Sequence, residues 1–177
     1  VEGARGGFGS VQRYFAIGGG GDGFEAYESL GSAGATVAPA EVAGSDGFAI
    51  IHTAAVGGRP RGALLTHGGL VAASLQQAAC WNLSPRDVHL GVLPLFHVSG
   101  LGLMLAVQQA GGATVVLPRF DPAAVVNTIA AEKATVFAEF PPILGTILDK
   151  VAADGGDLSS LRHLTGLDTP ETIARFE

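Results

Sequence analysis

Apolar residues in this chain come in short runs separated by glycine, proline and capping residues, and the runs mark out alternating elements. Arg13-Tyr14-Phe15-Ala16-Ile17 predicts a strand, Gly18 to Gly23 a flexible turn, Phe24 to Leu30 a short helix and Ser32 to Ser45 a loop. From Gly47 onward the pattern is regular. Phe48 to His52 predicts a strand, a Gly/Pro turn follows, and Thr66 is placed to cap a helix reaching about Trp81. Val88 to Leu93 is a largely apolar run, as expected of a strand buried on both faces. Ser99 to Gln109 predicts a helix stopped by Gly111-Gly112, and Ala113 to Leu117 a strand. Asp121-Pro122 caps a helix through about Glu132, with proline at its first position. Ala134 to Phe140 predicts a strand, and Pro141-Pro142 opens a helix through about Ala153. Leu161 to Leu164 is a short strand, and Thr169-Pro170-Glu171 starts a last helix.

Strands and helices thus alternate five times, which predicts an α/β fold, a mostly parallel sheet with helices on both faces. Ligands of such folds bind at the carboxyl ends of the strands. His52-Thr53, Pro94 to His97, Glu139-Phe140 and Gly166-Leu167-Asp168 are expected at those ends. Residues 1–45 read as a Gly/Ala-rich lead-in with one strand and a loop, and residues 46–177 as the α/β domain.

Composition narrows the class. Hydrophobic residues make up 47% of 177 residues and charged residues 15%, enough to bury a core. A net charge of -6 argues against nonspecific nucleic-acid binding, yet leaves room for a local anion site built from amides and a few cations. Cys80 is the only cysteine, so an intrachain disulfide and a cysteine zinc cluster are excluded. Beside Trp81 it is expected to be a buried packing residue. No run of eighteen apolar residues suggests a membrane span, and no signal peptide is visible. The chain begins at Val1 and ends at Glu177 inside a predicted helix, as expected for a piece of a longer protein.

Two segments carry candidate chemistry. Residues 50–62 run from an apolar strand into a turn with Gly57, Gly58, Arg59, Pro60, Arg61 and Gly62, expected to enter a helix. Such a turn leaves backbone N–H groups free for an anion, a helix dipole favours it, and arginine binds phosphate bidentately. It reads equally as a mobile surface connection. It is not a Walker loop, because Gly-Lys-Ser/Thr is absent. The second segment, Leu93-Pro94-Leu95-Phe96-His97-Val98-Ser99-Gly100-Leu101, ends a strand and delivers an aromatic and a histidine at the head of a helix. Its plainer reading is a core Phe96 and a His97 that merely precedes a helix capped by Ser99.

Together these segments resemble the phosphate loop and acyl-pocket motif of the adenylate-forming (AMP-binding) enzymes, above all the acyl-CoA synthetases. The family's Tyr-Thr-Ser-Gly-Thr-Thr-Gly-x-Pro-Lys-Gly is met at Thr53, Gly58, Pro60 and Gly62, with Arg61 in place of lysine. Thr66-His67-Gly68-Gly69-Leu70 is similar to the Thr-His-x-Asn-Leu that follows it, and Leu93 to Gly100 match Leu-Pro-x-Phe-His-x-x-Gly. Gly166-Leu167-Asp168 take the place of the segment that stacks on adenine, though the stretch also reads as an ordinary turn with Thr169 as N-cap. The resemblance covers about residues 13–177 and is strongest over 48–118.

The resemblance implies a fragment of the large N-terminal domain of an acyl-CoA synthetase-like fold, with the C-terminal domain absent. It implies an acid–thiol ligase for a fatty or aryl acid. The substrate carboxylate attacks the α-phosphate of Mg2+-bound ATP, giving acyl-AMP and pyrophosphate, and CoA then displaces AMP. Thr53, Gly57, Gly58, Arg59 and Arg61 would hold phosphates, and Gly166, Leu167 and Asp168 would border adenine. His97 would be catalytic, orienting the carboxylate, in a pocket shaped by Phe96, Val98 and Gly100. No metal ligand is expected in this chain, since the family's magnesium-binding Glu belongs to a segment expected after Glu177. The partner would be a small-molecule carboxylic acid in the cytoplasm, and nothing in the sequence speaks to oligomeric state. Ala54-Ala55-Val56-Gly57 replace the family's Ser-Gly-Thr-Thr, so the side-chain hydroxyls that wrap phosphate are lost at three positions. Weakened ATP binding follows as an expectation, and the alternative is a non-catalytic nucleotide- or acyl-binding homologue. The isolated chain is expected to make no acyl-AMP.

Other patterns carry less. Gly18-x-Gly20-x-x-Gly23 formally fits a dinucleotide fingerprint, but no long helix follows it. Ser99 is no nucleophile elbow, because His97 stands where glycine is needed. The five histidines lack metal-ligand spacing, and Asp149, Lys150 and Asp154 read as a solvated helix face. Glu139 is a strand-end acid with a small claim to ligand contact.

Overall fold

Residues 7, 9–34 and 37–177 are described by the structure, a computed structural model. The chain divides into a unit ending at Glu41 and a unit from Val42 to Glu177. In the first, β1 (Phe15–Ala16) pairs parallel with β2 (Glu25–Ala26). Arg13 clasps Glu25 through Nε and Nη2 at 2.8 and 2.6 Å and lies 4.9 Å above the Phe15 ring. The expected helix over Phe24 to Leu30 is instead β2 followed by a 3-10 helix over Tyr27–Ala33, ended by Gly34 at φ 61. So short a segment gains too few hydrogen bonds to offset α-helix nucleation, and the tighter helix suits it. Ala35 and Thr36 of the expected loop lie outside the described residues.

The second unit begins with a hairpin. β3 (Gly47–His52) pairs antiparallel with β4 (Gly62–Thr66), and α1 (His67–Cys80) follows directly. The expected passage from Gly-rich turn straight into a helix is therefore corrected. Gly62-Ala63-Leu64-Leu65 lacks the alternation of a half-buried strand, and only its pairing with β3 makes it one. β3 likewise stands outside the parallel sheet, so His52-Thr53 do not lie at that sheet's edge. Thr66 caps α1 as expected, its Oγ1 accepting from the Gly69 amide at 3.1 Å.

The parallel sheet has the order β6-β5-β7-β8, with β5 (Val88–Gly91), β6 (Ala113–Val116), β7 (Val136–Glu139) and β8 (His163–Gly166). Between them run α2 (Val98–Gln109), α3 (Pro122–Glu132) and α4 (Ile143–Asp154), and α5 (Pro170–Phe176) follows β8. Successive strand residues face opposite ways, and two cores result. Leu90 and Phe137 pack with Val125, Val126 and Ile129 of α3 and Ile147 of α4. Val136 packs with Leu103 and Val107 of α2, and Trp81 lies against them. Helices thus cover both faces of a mostly parallel sheet, as the alternation predicts. Asp121 caps α3 through a 2.7 Å bond from the Ala124 amide to Oδ1, and Thr169 caps α5.

Cys80 is exposed, not buried as expected. α1 buries only Ser74, because its Gly- and Ala-rich sequence has no strong apolar stripe to orient it.

Asp87 and His89 are polar groups sealed at β5. Asp87 precedes β5 and is bound by Arg162, 75 residues away, through Nε to Oδ1 and Nη2 to Oδ2, both 2.6 Å. Thr135 Oγ1 donates to Oδ1 at 2.8 Å, and the Ser84 amide to Oδ2 at 2.7 Å. His89 is 3% exposed with Nδ1 unpartnered among the described residues, and burial pushes its pKa from 6.5 down to about 4. A base that binds fewer protons when folded contributes fully above its unfolded pKa. That contribution is lost as pH falls from about 6.5 toward 4. The loss is about 2 kcal/mol between roughly pH 7.5 and 5, and His89→Leu is expected to flatten that limb of a urea-stability profile. An equally steep profile in the variant would assign the limb to other groups.

Candidate functional site

The carboxyl ends of β5, β7 and β8 converge on one region. After Gly91 the chain runs through Leu93-Pro94 and turns into α2, with the His97 amide bonded to Pro94 O at 3.0 Å. Gly100 is required in this turn. A Cβ there would meet the carbonyl oxygens of Pro94 and Leu93 at 2.5 and 2.7 Å. The motif's glycine is therefore a packing requirement of the α2 entry. Phe96 is 81% exposed, which rules it out as core, and His97 is exposed beside it. His97, not Ser99, caps α2. Its Nδ1 receives the Ser99 amide at 3.2 Å and lies 2.7 Å from Ser99 Oγ.

Two adjoining cavities of about 410 and 260 Å³ share Leu93, Ser99 and Phe140. The outer one is also lined by Phe96 and His97, and the inner one by Trp81, Leu103, Gly166 and Leu167. Together they have the size and apolar lining of a small-molecule site with a few polar groups. The structure thus brings Phe96 and His97 together with Gly166 and Leu167, although Val98 and Gly100 line neither space.

Glu139 at the end of β7 is more prominent than its sequence suggests. It is 1% exposed, and its Oε2 has no hydrogen-bond partner among the described residues. Burial raises its pKa, the nearby Asp168 carboxylate adds to the rise, and the Leu144 amide opposes it. Its carboxyl and carbonyl lie so close over Gly166 that no side chain fits at that position. Asp168 Oδ1 accepts from the Thr169 amide at 2.7 Å while its Oδ2 stays unpartnered among the described residues. An acid ending an otherwise apolar strand run was the only available sequence signal.

The Gly/Arg turn sits at the hairpin tip. The Thr53 amide donates to Arg61 O at 2.9 Å, and the Arg61 amide to Thr53 Oγ1 at 3.0 Å, so the two motif ends clasp each other. A concavity is lined by Thr53, Ala54, Ala55, Val56, Gly57, Arg59 and Arg61, while Gly58 stays outside its lining. It shares no lining residue with the His97 cavities. β4 separates this tip from the start of α1, so the helix dipole proposed for the anion site acts elsewhere. What remains for an anion are loop amides, the Thr53 hydroxyl hydrogen and two arginines. Ala55 adopts φ 60, a left-handed conformation, where the resembling motif has glycine. Its strain of roughly 1–2 kcal/mol exceeds the extra unfolded-chain entropy of glycine, roughly 0.5–1 kcal/mol. Ala55→Gly is thus expected to raise thermal stability by up to about 1 kcal/mol. A lower melting temperature would contradict the left-handed backbone at this residue.

The chain is 37% identical over 129 residues to indoleacetate–CoA ligase of Aromatoleum aromaticum, covering 71% of this chain and 25% of that protein. A solved structure from Rhodopseudomonas palustris, assigned as a long-chain-fatty-acid CoA ligase, aligns with TM-score 0.88 at 51% identity. That alignment covers 99% of this chain and 44% of the other. ATP-bound MatB from Rhodopseudomonas palustris aligns with TM-score 0.70 at 28% identity, over 84% of this chain and 30% of that one. The chain therefore spans between a quarter and under half of the proteins it matches. The family model described as AMP-binding enzyme matches residues 16–176, and this chain belongs to that family of AMP-binding enzymes.

Proposed function

We propose that the protein of which this sequence forms the matched part activates an apolar carboxylic acid, fatty or aryl, with ATP and passes the acyl group to CoA. The observation that carries this reading is the paired cavity at the carboxyl edge of β5, β7 and β8, with His97 at its outer wall. A carboxylate oxygen bonds to the α-phosphorus as the bond to the β-phosphate oxygen breaks and pyrophosphate leaves. The CoA sulfur then adds to the acyl carbonyl, and AMP departs. This chain contributes mainly position and charge. His97 holds the carboxylate end, Leu93, Phe140 and Trp81 receive the apolar tail, and Gly166 to Asp168 border the base. Thr53, Gly57, Gly58, Arg59 and Arg61 receive the phosphates, whose charge the two guanidiniums balance. Mg2+ would enter the reaction chelated by the ATP phosphates. No described helix is long and apolar enough to cross a membrane. The reaction is assigned to the cytoplasm.

Carboxylate-dependent ATP–pyrophosphate exchange by the full-length protein tests the reading, with indoleacetate, 4-coumarate and fatty acids as probes. Exchange followed by thioester formation is expected, and none from the isolated 177 residues. Ala54→Ser, Val56→Thr and Gly57→Thr together are expected to lower KM for ATP roughly tenfold by restoring phosphate donors. A parent inactive until these changes are made would mark it instead as a degenerate binding homologue.

A further inference from the structure

The capping contact between His97 and Ser99 decides more than the start of α2. A backbone amide can only donate a hydrogen bond, so the Ser99 N–H directed at His97 Nδ1 at 3.2 Å requires a lone pair on that nitrogen. The Ser99 hydroxyl, 2.7 Å from the same Nδ1, must then donate as well. The proton of the neutral ring sits on Nε2. We infer that Ser99 is a positioning residue that holds His97 in the Nε2–H form and turns it into a hydrogen-bond donor.

Ser99 is well placed for this. It lies where the two cavities meet and shares with His97 the wall of the outer one. Its amide is one of the free donors of the first turn of α2, so backbone and side chain act on one acceptor. An Nε2–H donor suits a carboxylate or an acyl-phosphate oxygen gaining negative charge, whereas removing a proton from substrate would need a lone pair on Nε2. His97 therefore binds and polarises an oxygen and is not a general base. This inference rests on the acid-activation reading for the identity of that oxygen, but the tautomer itself does not.

The test uses the full-length protein with 15N-labelled histidine. His97 signals, assigned by their loss in His97→Asn, are expected to show a pyridine-type Nδ1 and a pyrrole-type Nε2. Ser99→Ala leaves only the longer amide contact, so a second tautomer signal should appear and carboxylate-dependent exchange should slow about tenfold. Ser99→Thr should restore both. Unchanged melting curves would separate this from a folding defect. A protonated Nδ1 in the unaltered protein, or a Ser99→Ala variant with unaltered signals and rate, would overturn the inference. If the tautomer is as stated but no acid supports exchange, the tautomer inference holds and the ligase reading fails.

Discussion

Arg162→Met is expected to destabilise the fold by about 3 kcal/mol at neutral pH, the lower end of what breaking a buried ion pair costs. The Asp87 side chain is 2% exposed and that of Arg162 37%, so the change strands a sealed carboxylate while the lost cation was partly solvated. Arg162 also donates to the carbonyls of Trp81 and Asn82, so the end of α1 loses part of its tie to β8 and keeps the bond between His163 Nε2 and Trp81 O. The pH dependence carries the sign. Burial opposes ionisation of Asp87, but bonds from Arg162, Thr135 and Ser84 outweigh it and hold the carboxyl well below the usual carboxylate range. A depressed acid contributes stability above its unfolded pKa, about 3.8, and loses it as pH falls through the folded value. Without Arg162 that contribution disappears, so the gap between the two proteins should close as pH drops below about 4. Urea unfolding at pH 7 and near pH 2.5 measures both. A gap that stays constant would mean that Arg162 acts through packing and not through the Asp87 charge.

His97→Ala is expected to lower carboxylate-dependent exchange in the full-length protein by about 100- to 1000-fold, the range found on removing one donor from a charge-stabilising site. KM for ATP should change little, because the hairpin-tip concavity shares no residue with the His97 cavities. His97→Asn keeps an N–H donor and a side chain suited to capping α2, and it should retain part of the lost rate. Equal losses in both variants would favour a base at this position over a donor. Steady-state exchange with saturating acid separates a kcat effect from weaker acid binding.

The two motifs were legible to different depths. Leu93 to Gly100 showed in sequence, and the structure supplies the cause of its glycine, since a Cβ at Gly100 would meet the carbonyls of Leu93 and Pro94. The Gly/Arg loop was visible as a turn, but β4 stands between it and the expected helix, α1. Leu64 and Leu65 fit either element, and what decided was a partner strand earlier in the chain. Cys80 was misplaced for a related reason. A helix without an apolar stripe does not announce which side faces in, and Cys80 fell on the exposed side.

The sequence by itself determined what depends on neighbours within about four residues: the Thr66, Asp121 and Thr169 caps, the strand runs, and the α/β alternation. Only the tertiary structure decided the β3–β4 pairing, the burial of Glu139 against Gly166, and the clasp of Asp87 by Arg162 across 75 residues. Caps and periodicity are set by local hydrogen bonds and side-chain direction. A long-range contact instead exists only after the core has chosen which surfaces meet, and many local sequences are compatible with that choice.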